Sequence, residues 1–448
     1  HNTHGYKRSP DRCHLICRIP IYDLSGSVHM YYLLFTAGDV LSFDGLKRRH
    51  VPHILIGFLM RRSISLFVGP NNTAMIPLPL CRELIDLNKG YPVGRLIIHL
   101  RADEEYNDDN LAVMTTLRRL FVRFACDLEF FLRPEWRRRV HSFDYVIIRH
   151  GPHFVEDARF FGELKRENPR LRGIVQDIRS RQIIKSVALS ATDYALSVFY
   201  KRHEFFNYKN LLIKYSHVFA LISEVFRGMP NFATTVSEIV RRRSYLQKDV
   251  MGMLRLYDPN FSDKVWKPGT YAKRYEPALL REALAAAALH GLMLIGTQLS
   301  PREGPETLES VLEPMKLSLI RGRFFEEMTR ELGFNKEVLS LAFVEGLYSI
   351  ERTWASWQNP LIAQRLLSFR FHHGYEKIFA QLLEAIRALE RAELNRFNKA
   401  LTELGIPPGV ALDDYEKALL WSNEAAHELN KINLLDFQMV LPDRPAEE

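Results

Sequence analysis

The hydrophobic pattern of this chain changes period once, near residues 207–210. Before that point, short apolar runs alternate with amphipathic stretches. After it, almost every segment repeats its apolar residues at i, i+3 and i+4. A strand faces its core every second residue and a helix every 3.6, so one chain showing both patterns in series needs two differently built parts.

In the first part, residues 13–22, 30–35, 73–78, 96–100, 146–148 and 183–187 read as strands bounded by Gly, Pro or Asp. Residues 110–123 read as a helix, with Leu111, Met114, Leu117, Leu120 and Phe121 on one face. The acidic run before it, 103–109, favours a helix N-terminus. Alternation of this kind predicts an α/β domain over residues 1–207, compatible with a barrel. The remainder, 208–448, is expected to be all-helical, with helices over 211–227, 234–245, 279–299, 308–332, 337–348, 361–368, 375–404 and 413–429. Gly333 marks one helix stop, and Gly405 with Pro407 and Pro408 another. Pro314 is expected to break or kink its helix.

Charge divides at the same place. Residues 1–207 hold 31 basic and 22 acidic side chains, and 208–448 hold 30 and 31. The basic half could meet an anionic partner, although excess arginine also serves solubility. Four cysteines (Cys13, Cys17, Cys81 and Cys126) are too few for a disulfide framework, which fits a cytoplasmic protein. The longest apolar run, 284–295, falls short of the ~20 residues of a membrane span. Residues 1–10 are polar, unlike a signal peptide.

Most motifs of catalysis are missing. There is no GxxxxGK[ST] or GxGxxG phosphate loop, no GxSxG elbow and no HExxH. None of the 16 histidines is followed by Asp. Cys13 and Cys17, with His14 between them, have no second ligand pair to complete a zinc site. Strand alternation would point both thiols to one face, which suits a packed core. Glu424 and His427 read as a solvated helical pair. The triplets 137–139 and 241–243 are all arginine, and 199–206 interleaves aromatics with charge. No nucleic-acid motif accompanies them, so a solvated or partner-facing surface is favoured over nucleic acid.

Several segments, in order, resemble a bacterial signalling family in which a degenerate EAL domain precedes an HDOD domain. Arg18-Ile19-Pro20-Ile21-Tyr22-Asp23 is similar to the "RQPIFD" opening of EAL domains, and Met30-Tyr31-Tyr32-Leu33-Leu34-Phe35 to the "GYELLF" strand. Phe205-Phe206 sits where "QGYFF" ends the barrel. In the second half, residues 281–299 resemble the HDOD "ALxxLGLxxL" helix, 320–326 "VRARFCE", 342–349 "AFLVGLLSLLD" and 415–424 "YLEALRWANE". The resemblance implies a TIM-like EAL-type barrel followed by an HDOD-type helical domain.

Active EAL enzymes hydrolyse cyclic di-GMP with metal ions held by carboxylates and one Asn. The resemblance puts Tyr32 at the Glu of the EAL signature and Pro77 at the Asn of "INF". It puts His99 on or near the Glu of "VIEI" and Arg149 at the Asp of "VKID". Ser186 and Leu189 fall at the glutamates of "AExVE". The "DDF" pair falls within 127–130, where Glu129 could keep one carboxylate. Mg²⁺ needs hard, mostly anionic oxygen ligands, and an arginine opposes it. Without metal there is no activated water. The resemblance therefore implies no bound metal, no cofactor and no catalysis. Arg149 and His150, with His99, could instead contact an anion at the strand ends, although Arg149 is expected to pair with an acid such as Asp144 or Glu129. The expectation is a regulator that acts on signalling proteins, with self-association as a homodimer reasonable and bound cyclic di-GMP not favoured. The alternative is a receptor that binds cyclic di-GMP without cleaving it.

Overall fold

A computed structural model describes residues 13–24, 27–37, 51–89, 94–178, 192–196, 244–261, 274–297, 306–358 and 374–429. The chain forms two compact units. One comprises residues 1–202 with 384–416, and the other 203–383 with 417–448. Residues 384–416 thus join the barrel unit, across the linear division at 207.

The first unit is built on eight strands closed into a barrel in sequence order. They are β1 (Cys13–Asp23), β2 (Val28–Ala37), β3 (Ala74–Pro77), β4 (Leu96–Leu100), β5 (Arg123–Asp127), β6 (Tyr145–Arg149), β7 (Arg172–Gln176) and β8 (Tyr194–Leu196). β1 runs antiparallel to both β2 and β8, and all other neighbours are parallel. Helices α1 (Val51–Arg61), α2 (Ser65–Val68), α3 (Glu83–Lys89), α4 (Asp108–Arg119), α5 (Pro134–Arg137) and α6 (Phe154–Glu167) lie between strands. α4 starts where the acidic run ends: Asn107 caps it by accepting from Asn110 N at 2.8 Å, and Asp108 and Asp109 occupy its first turn.

Side chains fill the barrel interior, with Ile21, Met30, Met75, Ile97, Ala125, Ile147 and Ile174 packed together. It is a core and not a pore. β5, β7 and β8 were not expected from the sequence. β5 and β8 contain no Val, Ile or Thr, and β7 opens on Arg172-Gly173, so none of them stands out as a β-branched apolar run. The strand expected over 183–187 lies outside the described residues.

β1 also departs from simple alternation. Leu15 pairs with Phe35 but Cys17 pairs with Leu34, so a bulge inserts one extra residue. Cys13 therefore lies on the Phe35 face and Cys17 on the opposite one, which corrects the expectation that both thiols share a face. The β1–β2 ribbon is met by residues distant in sequence. His14 Nδ1 lies 3.2 Å from Asp413, Tyr415 bonds to the Arg18 backbone, and Arg62 pairs with Glu416 at 2.6 Å.

The second unit is helical. α7 (Ser244–Tyr257), α8 (Pro277–Thr297), α9 (Glu306–Glu331) and α10 (Lys336–Gln358) fall in it. Ala283, Leu284, Ala285, Ala286, Ala287, Ala288 and Leu289 are all buried, so α8 is enclosed on every side. Gly322 of α9 and Gly346 of α10 allow these helices to cross closely. A Cβ on Gly346 would stand 2.5 Å from the Arg321 carbonyl oxygen. α9 runs through Pro314 without a break. Toward the C-terminus come α11 (Glu376–Glu390), α12 (Leu394–Leu404) and α13 (Pro408–Leu429). A single helix was expected over 375–404, but Ala392 takes a left-handed φ of 59° and ends α11. Gly405 closes α12 with φ 78°, and Pro408 begins α13. The helices expected over 211–227 and 361–368 lie outside the described residues.

Candidate functional site

Three parallel strands bring Tyr32, His99 and Asp127 into one hydrogen-bonded chain. Tyr32 Oη is 2.8 Å from His99 Nδ1, and His99 Nε2 is 3.1 Å from Asp127 Oδ1. A carboxylate oxygen accepts, so the chain runs with His99 Nε2 donating to Asp127 and the Tyr32 phenol donating to Nδ1. Asp127 ends β5, and His99 stands one residue from the end of β4, at the C-terminal side of the parallel strands. That side carries the sites of β/α barrels. Burial, with Asp127 adding to it against Arg101, pushes the Tyr32 phenol far above its usual range. Tyr32 is therefore a fixed donor at neutral pH. Pro77 ends β3 in register with His99.

The other expected positions stand apart. Arg149 ends β6 with its side chain 72% exposed, and its partner is Asp177, 3.1 Å away. That corrects the expected pairing with Asp144 or Glu129. Asp144 is held elsewhere, accepting from Arg118 at 3.2 Å and from Phe124 N at 3.0 Å. Glu129 is exposed on the 3-10 turn Leu128–Leu132. His150 packs its ring on Phe154, centroids 4.7 Å apart. Ser186 and Leu189 lie outside the described residues.

Asp127, rather than Glu129, is the carboxylate of the 127–130 window that reaches the group. Its place as the last residue of a strand is what distinguishes it, and β5 was not visible as a strand. Among the described residues, no three His, Cys, Asp or Glu side chains gather as a metal site requires. Around His99 the donor set is one carboxylate already engaged, one imidazole with both nitrogens engaged, and a phenol that keeps its proton. Those groups do not fit a hard dication.

The four cysteines are free. Burial pushes Cys13 and Cys17 up to about 12 and Cys126 well above the ordinary thiol value. Cys81 also rises to about 12, through burial and its hydrogen bond to Glu83. In the helical unit the fold makes a His–Asp contact that no sequence doublet announced. His290 Nδ1 of α8 is 2.8 Å from Asp249 Oδ2 of α7, both fully buried. Burial raises the Asp249 carboxyl, against the pull of His290.

The fold and this group of residues define a β/α-barrel protein with a helical unit. No protein-family model matches the sequence, and no curated protein matches it. Among solved structures, the chain is similar to a stand-alone EAL protein of Vibrio cholerae in its c-di-GMP-bound form, at 10% identity and TM-score 0.34, over 42% of this chain and 91% of that one. It is similar to the FimX EAL domain of Pseudomonas aeruginosa bound to c-di-GMP, at 14% identity and TM-score 0.30, over 41% and 88%. It is also similar to the Bacillus subtilis YkuI protein, which has an EAL domain, in complex with c-di-GMP and calcium. There the identity is 12% and the TM-score 0.36, over 57% and 70%. No helix of the described residues is long and apolar enough to cross a membrane.

Proposed function

We propose that this chain is a non-catalytic signalling regulator of the degenerate EAL–HDOD type, cytoplasmic, and acting through contacts with other proteins. The observation that carries the reading is the Tyr32–His99–Asp127 chain. Two residues at positions where the resemblance calls for metal-binding carboxylates are instead locked in a hydrogen-bonded relay. A dication entering there would have to displace the imidazole from Asp127 and would meet Arg101 nearby. Its desolvation would be repaid by a single carboxylate. With no metal, neither an activated water nor a clamp on the leaving oxygen is available. The HDOD-like assignment of the helical part rests on the sequence resemblance, and self-association as a homodimer belongs to the same proposal.

The test is incubation of the full chain with cyclic di-GMP and Mg²⁺ or Mn²⁺. No linear product is expected, and turnover would return the chain to the working hydrolases. A second reading, a receptor that binds cyclic di-GMP without cleaving it, draws on the exposed Arg149 guanidinium beside His150. The pairing of Arg149 with Asp177 weakens it. Calorimetric titration with cyclic di-GMP separates the two readings: micromolar or tighter binding favours the receptor.

A further inference from the structure

The N-terminal mouth of the barrel, opposite Asp127, carries aromatic and basic side chains that the Tyr32–His99–Asp127 group does not use. The two-residue period of a strand sets Arg123 on the interior face with Ala125, Tyr145 with Ile147, Arg172 with Ile174 and Tyr194 with Leu196. These four residues begin the neighbouring strands β5, β6, β7 and β8, so they form an Arg–Tyr–Arg–Tyr arc along one half of the rim. A second bulge in the β1–β2 ribbon supplies a fifth member. Ile21 pairs with Met30 but Tyr22 pairs with Val28, which leaves His29 as the extra residue. A bulge re-aims a side chain, and this one turns His29 over the mouth even though its neighbour Met30 already faces the interior. The imidazole stacks on Tyr194 with centroids 4.3 Å apart and planes 9° apart, and its Nε2 is 3.4 Å from Tyr145 Oη. His29 is nevertheless exposed, and Tyr194 is half-buried.

The charge at this mouth is not balanced. Arg123 Nη1 donates to Tyr145 Oη at 3.1 Å and its Nη2 to the Gly94 carbonyl at 2.5 Å. Arg172 Nη1 makes one long bond to the Pro169 carbonyl at 3.5 Å. Both guanidinium groups thus meet neutral acceptors, and neither has an acid partner among the described residues. The acids close by hold other groups: Asp144 accepts from Arg118 and Phe124 N, Asp193 from Lys165 and Gly173 N, and Asp23 from Ser27 N. Partial burial, then the Arg123 charge, hold His29 below the ordinary imidazole range, against the pull of Asp23. The ring is therefore neutral at pH 7. Burial raises the Tyr194 phenol, with Arg172 and Arg123 both close enough to oppose the rise. The two arginines, the bulged imidazole and the Tyr194 ring accordingly share one rim.

We propose that this mouth binds a mononucleotide, with the base stacked on His29 and the phosphate meeting Arg123 and Arg172. A neutral ring already stacked on a phenol extends into a third ring at the cost of little ordering, and every base has a face to offer. Guanidinium forks match phosphate oxygens, and each of these has N–H donors left over. The barrel beneath is filled by Met30, Ala125, Ile147 and Ile174, so the ligand stays at the rim, where His29 stands. A longer nucleic-acid strand would call for a basic track with several successive stacking rings. Arg123 and Asp127 are the two ends of β5, about 13 Å apart along the strand, so the site is separate from the Tyr32–His99–Asp127 group and does not depend on its state.

The test is calorimetric titration of the full chain with AMP, and with adenosine and inorganic phosphate as the two halves of that ligand. AMP is expected to bind with a Kd on the order of 100 μM or tighter, and at least about tenfold more tightly than either half. This comparison needs no variant. His29→Ala and Arg172→Gln, which alter an exposed ring and a guanidinium with one long bond, should each keep the thermal midpoint and weaken AMP about tenfold or more. Arg149→Gln, at the opposite mouth, should leave AMP binding unchanged. No heat with AMP up to about 1 mM, or adenosine or phosphate binding as tightly as AMP, would overturn the proposal. So would wild-type affinity in both His29→Ala and Arg172→Gln, or loss of binding in Arg149→Gln. Turnover of cyclic di-GMP by the wild type would defeat the non-catalytic reading and leave these outcomes as they are.

Discussion

Tyr32 and His99 lie on strands that are not neighbours in the barrel, yet the phenol oxygen sits 2.8 Å from the imidazole nitrogen. The contact spans the strand between them and is completed by Asp127. Tyr32→Phe removes the donor and leaves His99 Nδ1 as a buried acceptor without its partner. A loss of about 1–2 kcal/mol is expected, measured by denaturant unfolding. A full-length variant with unchanged stability would show that the relay does not hold the strands together.

Replacing both members by carboxylates should restore what a dication needs. The double variant Y32E/H99E, with Asp127 kept, places three acids where the wild type has one. Calorimetry should detect Mn²⁺ binding to the variant and none at this group in the wild type. The variant should also lose stability without metal, because unpaired buried carboxylates are costly, and regain it when Mn²⁺ is added.

Glu104 gives a pH signature. Its Oε1 accepts from Leu80 N at 3.3 Å and from Asn110 Nδ2 at 3.2 Å. Burial raises the carboxyl to about 7. The Leu80 bond opposes the rise, Asp103 and Glu105 add to it, and Arg133 opposes it. The folded pKa lies above the unfolded one, so the folded state holds more protons between about 4.5 and 7. This group's contribution to stability is therefore greatest at low pH and falls as pH rises through about 7. The drop in thermal midpoint from pH 5 to pH 8 should be smaller in Glu104→Gln than in the wild type.

Two helix ends carry side chains where Gly is usual. Phe121 and Ala392 both take left-handed φ values, 65° and 59°. Phe121→Gly and Ala392→Gly should each stabilise the chain by about 0.5–1 kcal/mol, since relief of the Cβ clash exceeds the added entropy of an unfolded Gly. The opposite holds at Gly346, where an added Cβ would stand 2.5 Å from the Arg321 oxygen and 2.8 Å from Phe325 Cγ. Gly346→Ala should cost roughly 1–3 kcal/mol by thermal unfolding.

The thiols should be silent in the folded state. Burial holds Cys13, Cys17 and Cys81 near 12, so almost no thiolate exists at pH 8. Reaction with a disulfide reagent should be slow in the native protein and become fast for four thiols in denaturant. A fast-reacting pair in the native state would contradict both their burial and the β1 bulge, which places Cys13 and Cys17 on opposite faces.

The sequence by itself determined the local periods. The change from alternating strands to continuous helices, the strand at 96–100, the acidic start of α4 and the Gly405 stop all rest on neighbours within a few residues, so each could be read from the chain. Tertiary structure decided what depends on residues far apart. The strand at 123–127 has no β-branched residue to announce it and forms because β4 and β6 pair with it on either side. The break at Ala392 had no Gly or Pro to signal it, and the extra residue in β1 is set by its register against β2. Asp177 as the partner of Arg149, Asp249 as the partner of His290, and the joining of residues 413–416 to β1 and to Arg62 share that origin. Hydrophobic period is a property of the segment, whereas a hydrogen bond across a barrel depends on which strands closure sets side by side.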